Sequence, residues 1–269
     1  VITVLDGCLG TPTSTAVSPT GTATGSVPTN TAIAGTSTPS SVAATRTPSP
    51  SATVAIPTVC SITFSDVPES HTFYPFVRCL ACRGIISGYA DGTFRPGNDV
   101  TRGQLSKVVS SAAGFNTTPT GQTFEDVSPD DTFYEFIERM ASRGVISGYE
   151  CGGPGEPCGN NNRPYFRPGN NASRGQLSKI TSNAAGYIEP VSGQFYADVD
   201  DSNPFYAEIS RLTVRGVIGG YPCGGAGEPC DSQNRPYFRW GSNVTRGQMS
   251  KIVSNTFYPS CRAQLDSTR

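Results

Sequence analysis

Basic side chains recur at three equivalent places in this 269-residue chain. Each place carries the motif Thr/Ser-Arg-Gly-Gln-Leu/Met-Ser-Lys, and the three motif lysines are the only lysines in the sequence. A guanidinium group can bind a carboxylate or phosphate in bidentate fashion, whereas a cation at a helix start is unfavourable for the helix itself. The motif therefore predicts either an anionic ligand or an internal carboxylate partner. Its basic residues are Arg102, Arg174 and Arg246, with Lys107, Lys179 and Lys251.

One acidic position recurs through all three places as well, at Asp66, Asp126 and Asp198. If these aspartates are the internal partners, the recurring charges are scaffold and no ligand is needed. Scaffold and ligand binding both remain open for the other arginines that recur. These are Arg83, Arg143 and Arg215, and also Arg95, Arg167 and Arg239.

The chain has nine cysteines, a number typical of an oxidising compartment. Two pairs lie seven residues apart in Gly/Pro-rich loops, which predicts the local disulfides Cys151–Cys158 and Cys223–Cys230. An isolated Cys-x-x-Cys lacks the second pair that a structural zinc site needs. We expect it to form disulfides with the two cysteines that flank the repeats, in an order left open, and Cys8 to be free or linked to another chain. The four are Cys79 and Cys82, with Cys60 and Cys261.

The composition argues against several classes of function. A net charge of −1 and a pI near 5.9 argue against a nucleic-acid partner, and no apolar run is long enough for a membrane-spanning helix. His71 is the only histidine, and we expect it to be exposed or to cap a helix. No nucleophile elbow, phosphate loop or repeated carboxylate pair is present. The sequence thus predicts a non-catalytic protein without cofactor or metal.

The apolar pattern around the motifs predicts two helices per repeat. Residues 76, 77, 80 and 81 form one apolar stripe, and the motif opens a second helix with a capping box of the Thr/Ser-x-x-Gln type. A single unit is too small to bury a core of its own, so we expect three units to pack together in an all-α, pseudo-threefold, three-pronged module of helix-loop-helix repeats. The predicted units are unit 1 (60–119), unit 2 (120–191) and unit 3 (192–262), followed by a tail at 263–269.

The sequence before the repeats has a different character. Residues 1–10 contain Val1, Ile2, Val4 and Leu5 and suit a short strand. Residues 11–59 are rich in Ser, Thr and Pro, which predicts an extended stalk with polyproline character. The stalk is either a plain linker or a carrier of O-linked glycans. No basic segment precedes residue 1, so we expect the mature chain to begin near there.

The three units resemble the S-layer homology domain of bacterial surface proteins. The resemblance covers residues 64–258 and is carried by the Phe-x-Asp-Val start, the Arg-Gly-Ile-Ile-x-Gly-Tyr turn and the Gly-Tyr-x-Asp-Gly-Thr-Phe-Arg-Pro stretch at 88–96. It implies a three-pronged module whose grooves bind pyruvylated wall polysaccharide at the bacterial cell surface. The role of meeting the acidic sugar falls on Arg102, Arg174 and Arg246, and the groove of unit 1 would be shaped by Gly88, Tyr89, Asp91 and Gly92.

The chain departs from this family pattern in three ways. The usual Thr-Arg-Ala-Glu stretch reads Thr/Ser-Arg-Gly-Gln, so an acidic residue is missing. Long inserts at 150–164 and 222–236 replace the Ala-Asp-Gly-Thr loop in units 2 and 3, which puts two of the three grooves in doubt. Trp240 stands where the other units have Pro.

Two functions follow from these observations. The first is an extracellular structural protein that assembles with copies of itself, as an S-layer or filament subunit, through the module and by lending its N-terminal segment to a neighbour. The alternative is a wall-anchoring lectin that binds acidic polysaccharide. A lectin anchor needs cargo, which this sequence does not display, so self-assembly is the favoured hypothesis.

Overall fold

The computed structural model describes residues 60–261. They belong to the second of the two compact regions into which the chain divides, Thr53–Arg269. The expected strand at 1–10, the stalk at 11–59, Cys8 and the tail at 263–269 lie outside the described residues. No helix in the described part is long and apolar enough to cross a membrane. That part also holds no group of three or more His, Cys, Asp or Glu side chains placed to bind a metal ion.

The described residues form six helices joined by loops and isolated β-bridges, which confirms the all-α prediction. Each unit supplies a short first helix and a longer second helix. The helices are α1 (Tyr74–Ala81), α2 (Arg102–Ala112), α3 (Tyr134–Ala141), α4 (Arg174–Ala184), α5 (Tyr206–Val214) and α6 (Arg246–Phe257).

Local sequence explains where these helices begin and end. Helix α2 has a complete capping box, because the Thr101 hydroxyl accepts from the amide of Gln104 while the Gln104 side chain accepts from the amide of Thr101. The equivalent boxes open α4 and α6. Gly84 adopts a φ of +69° just after α1, a conformation that costs little without a Cβ. The Nδ1 of His71 accepts the amide of Phe73, the residue before α1, at 3.1 Å, and no side chain caps the helix itself.

The helices pack between units. Each second helix lies against the first helix of the following unit, so α2 packs on α3, α4 on α5, and α6 returns to α1. The second helices also contact one another around the centre. Most of the buried apolar side chains of the three units, including Leu212, Val217 and Val244 of unit 3 with those of α6, form one continuous core. This shared core explains how units too small to fold alone become stable.

Three backbone hydrogen bonds close a ring at the pseudo-threefold axis. The amide of Ala172 donates to the carbonyl of Val100 at 2.8 Å, the amide of Val244 to Ala172 at 2.9 Å, and the amide of Val100 to Val244 at 3.0 Å. Beside this ring, Asp99 accepts side-chain hydrogen bonds from Asn171 at 3.0 Å and Asn243 at 2.6 Å. Each unit therefore contributes one equivalent backbone segment to the centre.

The seam between unit 3 and unit 1 is closed covalently. In unit 2 the Nε of Arg139 donates to the carbonyl of Thr117 at 2.9 Å, and in unit 3 that of Arg211 donates to Glu189 at 3.0 Å. Unit 1 has Cys79 at the position equivalent to these arginines. Cys79 forms a disulfide with Cys261, 182 residues away in the sequence. A second disulfide joins Cys60 to Cys82. The structure thus gives the pairing order that the sequence leaves open.

Candidate functional site

Three equivalent cavities lie between the units, and each is named here by the lysine that lines it. The Lys179 cavity has a volume of about 270 Å³, the Lys251 cavity about 350 Å³ and the Lys107 cavity about 280 Å³. Each is formed by the turn after a unit's first helix, one face of that unit's second helix, and the start of the next unit's first helix. An arginine from the preceding unit completes the wall.

The completing arginines are the three that the sequence singled out. Arg102 lines the Lys179 cavity, Arg174 the Lys251 cavity and Arg246 the Lys107 cavity. The Nε of Arg102 donates to the carbonyl of Phe166 at 2.8 Å, and its guanidinium lies 4.3 Å from the ring centroid of that residue. Arg174 and Arg246 make the same contacts with Phe238 and Phe94.

Each arginine keeps hydrogen-bonding capacity for a ligand. A guanidinium has five N–H donors, and within the described residues the side chain of Arg246 uses only two nitrogens, its Nε on Phe94 and one Nη on the carbonyl of Ser87 at 2.9 Å. Burial lowers the pKa of Arg102, Arg174 and Arg246 from the ordinary value of an arginine. Because that ordinary value lies far above neutral pH, the groups remain cationic.

The backbone amides beside these arginines are not available to an anion, because each already donates a hydrogen bond within the module. The amide of Arg102 donates to the carbonyl of Asn170 at 2.8 Å, and that of Gly103 donates to Pro168 at 2.9 Å. The amide of Gln104 is used by the capping box. Equivalent bonds occupy the starts of α4 and α6. A ligand would therefore meet side chains, not helix amides.

The recurring aspartates are not the partners of these arginines either. Asp66 accepts the amide of Phe94 at 2.7 Å on one oxygen and the amide of Arg95 at 2.6 Å on the other. Asp126 and Asp198 repeat the arrangement. These bonds hold Arg95 at a φ of +57°, a left-handed conformation that a non-glycine residue adopts only when its surroundings enforce it. The aspartates are thus scaffold, and the cavity arginines lack a carboxylate partner within the described residues.

The other lining side chains leave each cavity positively charged. Its lysine and arginine are both cations, and among the described residues that line the three cavities none is Asp or Glu. The Gln of the motif lines all three cavities. In the Lys179 cavity the Nε2 of Gln176 donates to the hydroxyl of Tyr149 at 3.0 Å, and Gln248 does the same to Tyr221. The neutral amide thus fixes the tyrosine without adding negative charge.

The inserts of units 2 and 3 do not remove the cavities, contrary to the doubt raised by the sequence. In unit 1 Asp91 pairs with Arg95 at 2.8 Å, and the guanidinium lies 4.0 Å from the ring centroid of Tyr89. In unit 2 the insert supplies Glu156, which binds Arg167 through both oxygens at 2.6 and 2.8 Å. The guanidinium of Arg167 lies 3.9 Å from the ring centroid of Tyr149. Unit 3 repeats this with Glu228, Arg239 and Tyr221.

Disulfides brace both inserts at the residues predicted. Cys151 pairs with Cys158, and Cys223 with Cys230, so each bond brackets the glutamate of its insert. Hydrogen bonding to the arginine lowers the pKa of Glu156 and of Glu228. The bracing therefore holds an ionised carboxylate where unit 1 has Asp91.

The loop residues expected to shape the groove of unit 1 are not among the described residues that line the Lys107 cavity. The ring centroid of Tyr89 is 5.1 Å from the guanidinium of Arg246. A Cβ on Gly88 would overlap the ring of Phe64, and Gly92 has a φ of +77° and accepts the amide of Ser65. Asp91 binds Arg95 and Thr93. The lysines and glutamines of the cavities were not predicted as site residues, although the lysines carried a signal as the only ones in the chain.

The other recurring arginines lie away from the cavities. The guanidinium of Arg83 lies 4.6 Å from the ring centroid of Tyr258, and Arg143 and Arg215 lie over Phe115 and Tyr187 at 4.5 and 3.7 Å. They hold the segment that follows each second helix. This placement makes them suitable controls for the cavity cations.

Comparison with known proteins agrees with these features. Residues 63–106 and 123–178 match the S-layer homology domain; unit 3 lies outside the match but has the same helices, capping box and cavity. The chain is 29% identical over 161 residues to cell surface glycoprotein 1 of Acetivibrio thermocellus, a match that covers 54% of this chain and 6% of that protein. It is 28% identical over 172 residues to outer membrane protein SlpA of Deinococcus radiodurans, covering 60% and 14%.

An enzyme also contains a related segment. The chain is 23% identical over 201 residues to an endoglucanase of Bacillus sp. (strain KSM-635), a match that covers 72% of this chain and 19% of the endoglucanase. The chain thus spans a fifth or less of each of these three relatives.

Proposed function

The chain is an S-layer homology domain protein of the bacterial cell surface, and on that premise we propose that its three cavities bind an acidic wall polysaccharide. The observation that carries the proposal is the pairing, in each cavity, of one lysine with an arginine that has no carboxylate partner among the described residues. Two cations facing one small cavity favour an anion, because a charge-assisted contact is stronger there than in open water.

The shape of the cavities suits a sugar with an acidic substituent. Volumes of about 270 to 350 Å³ lie at the lower end of ligand pockets, which is enough for one or two sugar rings. Tyr149 and Phe205 line the Lys179 cavity with Gln176 and Lys179, so apolar ring surface adjoins polar donors.

The lysines give the sharpest test because none of them is buried and none forms a hydrogen bond or ion pair within the described residues. Lys107→Gln, Lys179→Gln and Lys251→Gln are combined in one variant. The control combines Arg83→Gln, Arg143→Gln and Arg215→Gln, which removes the same charge at three equivalent places away from the cavities. Binding is measured by co-sedimentation with wall polysaccharide purified from the producing bacterium, before and after removal of its acidic substituents.

We expect the lysine variant to lose at least about 10-fold in affinity, since each lost charge contact is worth about 1 kcal/mol or more. The control should bind within about two-fold of the parent, and neither protein should bind the neutralised polysaccharide. Equal loss in both variants would show that only net charge matters and would overturn the proposal. Arg102→Ala, Arg174→Ala and Arg246→Ala should also abolish binding, but they additionally remove hydrogen bonds between units.

A second function, assembly with copies of itself, is favoured by two exposed apolar residues where unit 2 leads into unit 3. Ile188 is 85% exposed and Val214 is 65% exposed. Ile188 follows Tyr187 and Val214 precedes Arg215. The guanidinium of Arg215 lies 3.7 Å from the ring centroid of Tyr187. Where unit 1 leads into unit 2, the equivalent positions hold the polar residues Asn116 and Ser142. An apolar patch found at only one of these two junctions suits a contact between two chains.

Self-assembly is tested by replacing these two residues with their polar equivalents from the junction of units 1 and 2. Electron microscopy and light scattering of the purified chain, without wall polymer, should show lattices or filaments. Ile188→Asn with Val214→Ser should reduce them, whereas Ile62→Ser, which alters a separate exposed residue, should not. Particles that stay monomeric at every concentration would refute assembly through this patch and leave the polysaccharide proposal unaffected.

A further inference from the structure

The three cavities differ in the wall that the next unit contributes. The Lys251 and Lys107 cavities are lined there by a threonine followed by a phenylalanine, Thr72–Phe73 and Thr132–Phe133. The Lys179 cavity is lined by Pro204 and Phe205 instead. Its wall therefore lacks the hydroxyl that the other two present and is more apolar.

A tryptophan extends this apolar wall. The ring centroid of Trp240 lies 5.8 Å from that of Phe205, with the planes inclined by 45°. The backbone of Trp240 also reaches the cavity helix, because its carbonyl accepts the amide of Gly175 at 2.8 Å, next to the lining residue Gln176. Trp240 is 36% exposed, so part of its surface is available to a ligand that projects from the cavity.

Nothing in the fold requires an aromatic residue at this position. Units 1 and 2 have Pro96 and Pro168 there, and the carbonyl of each accepts a backbone hydrogen bond from the second helix of the preceding unit, as the carbonyl of Trp240 does. The residue before each also has a positive φ, 57°, 60° and 61° in turn. The indole is thus an addition to an unchanged backbone.

We propose that Trp240 and Phe205 form an aromatic subsite of the Lys179 cavity, which takes the sugar adjacent to the acidic sugar in the same polysaccharide chain. A pyranose ring presents an apolar face of C–H groups, and a rigid aromatic side chain covers such a face while its N–H remains available for a hydroxyl. This inference rests on the proposed function. It makes the Lys179 cavity a two-sugar site, while the other two cavities hold the acidic sugar alone.

Trp240 is the only tryptophan in the chain, so its fluorescence reports on this subsite directly. The parent protein is titrated with two probes from the wall polysaccharide, the acidic monosaccharide and a fragment of three or more sugars. The fragment should shift or quench the emission, and the monosaccharide should not. Lys179→Gln should weaken the response to the fragment, whereas Lys107→Gln and Lys251→Gln should leave it unchanged.

Affinity is then compared in a background that isolates one cavity, with Lys107→Gln and Lys251→Gln. In that background Trp240→Pro, which copies units 1 and 2, should weaken fragment binding about three- to ten-fold, in line with aromatic contacts in general. Monosaccharide binding should not change. Because the backbone already accommodates proline here, the melting temperature should remain close to that of the parent.

The outcomes distinguish failure of the aromatic subsite from failure of polysaccharide binding by the three cavities. If the fragment binds through the lysines but Trp240→Pro leaves its affinity unchanged and the emission does not respond, the subsite is refuted and the polysaccharide function stands. If no probe binds at any cavity, both are refuted. Equal weakening of monosaccharide and fragment would also overturn the subsite, because it would indicate a general disturbance of the cavity.

Discussion

The disulfide between Cys79 and Cys261 should contribute more to stability than any local disulfide in the module. It joins unit 3 to unit 1 at the seam where the other units use an arginine, and it encloses 182 residues of chain. Cys151–Cys158 encloses only 7. The perturbation is Cys79→Ala with Cys261→Ala, and the matched control is Cys151→Ala with Cys158→Ala. Both variants remove two cysteines together and leave no new free thiol.

The expected magnitudes follow from loop length. Cross-linking lowers the entropy of the unfolded chain by an amount that grows with the logarithm of the enclosed length. For Cys79–Cys261 this gives about 5 kcal/mol at 25 °C, and for Cys151–Cys158 about 2 kcal/mol. In a domain of this size each kcal/mol shifts the melting temperature by about 2–4 °C. The seam variant should therefore melt about 10–20 °C below the parent, and the control about 4–8 °C below.

Calorimetry under non-reducing conditions measures both shifts, and a third variant tests the role of the seam. Cys79→Arg with Cys261→Thr copies Arg139 and Thr117 of unit 2. It should recover about 1 kcal/mol relative to the alanine pair, the worth of one hydrogen bond. If the seam variant melts no lower than the local control, closure of the ring is not what the disulfide provides and the reasoning fails.

Two further predictions concern close packing and charge. Gly103→Ala should destabilise the module by about 1–3 kcal/mol in thermal denaturation, because its Cβ would overlap the ring of Phe133, while Gly97→Ala, with open space around it, should be nearly neutral. The pKa of Glu156 and of Glu228 lies below the ordinary 4.5 in the folded state, so their stabilisation is complete above that value and is lost as the pH falls through the lower folded pKa. Melting temperatures measured between pH 7 and pH 2 should fall less in Glu156→Gln with Glu228→Gln than in the parent.

Features that depend on neighbouring residues could be predicted from the sequence. The capping box at Thr101 and Gln104 needs only two residues three apart, and the positive φ of Gly84 follows from its place after a short helix. The internal repeat then implied that the units pack together, because one unit cannot bury its own apolar stripe. The helices and their shared core follow from these local rules.

The partners of the charged residues could not be predicted, because they lie in other units. The sequence suggests the recurring aspartates as possible partners of Arg102, yet the Nε of Arg102 donates to the carbonyl of Phe166, 64 residues away. A sequence pattern does not reveal carbonyl acceptors, since every residue has one. The equivalence of Glu156 and Asp91 was hidden for a similar reason. Each pairs with the equivalent arginine, but Asp91 lies four residues before Arg95 whereas Glu156 lies 11 residues before Arg167.

The arrangement of the cavities explains why the module needs all three units. The Lys179 cavity takes Arg102 from unit 1, its lysine from unit 2 and Phe205 from unit 3, and the other two cavities follow the same rotation. No single unit or pair of units contains a complete cavity. The arginine that completes each cavity is also the one that binds the carbonyl of the next unit. A cation at the start of each second helix is therefore tolerated because it joins the units and supplies the charge of the site in one contact.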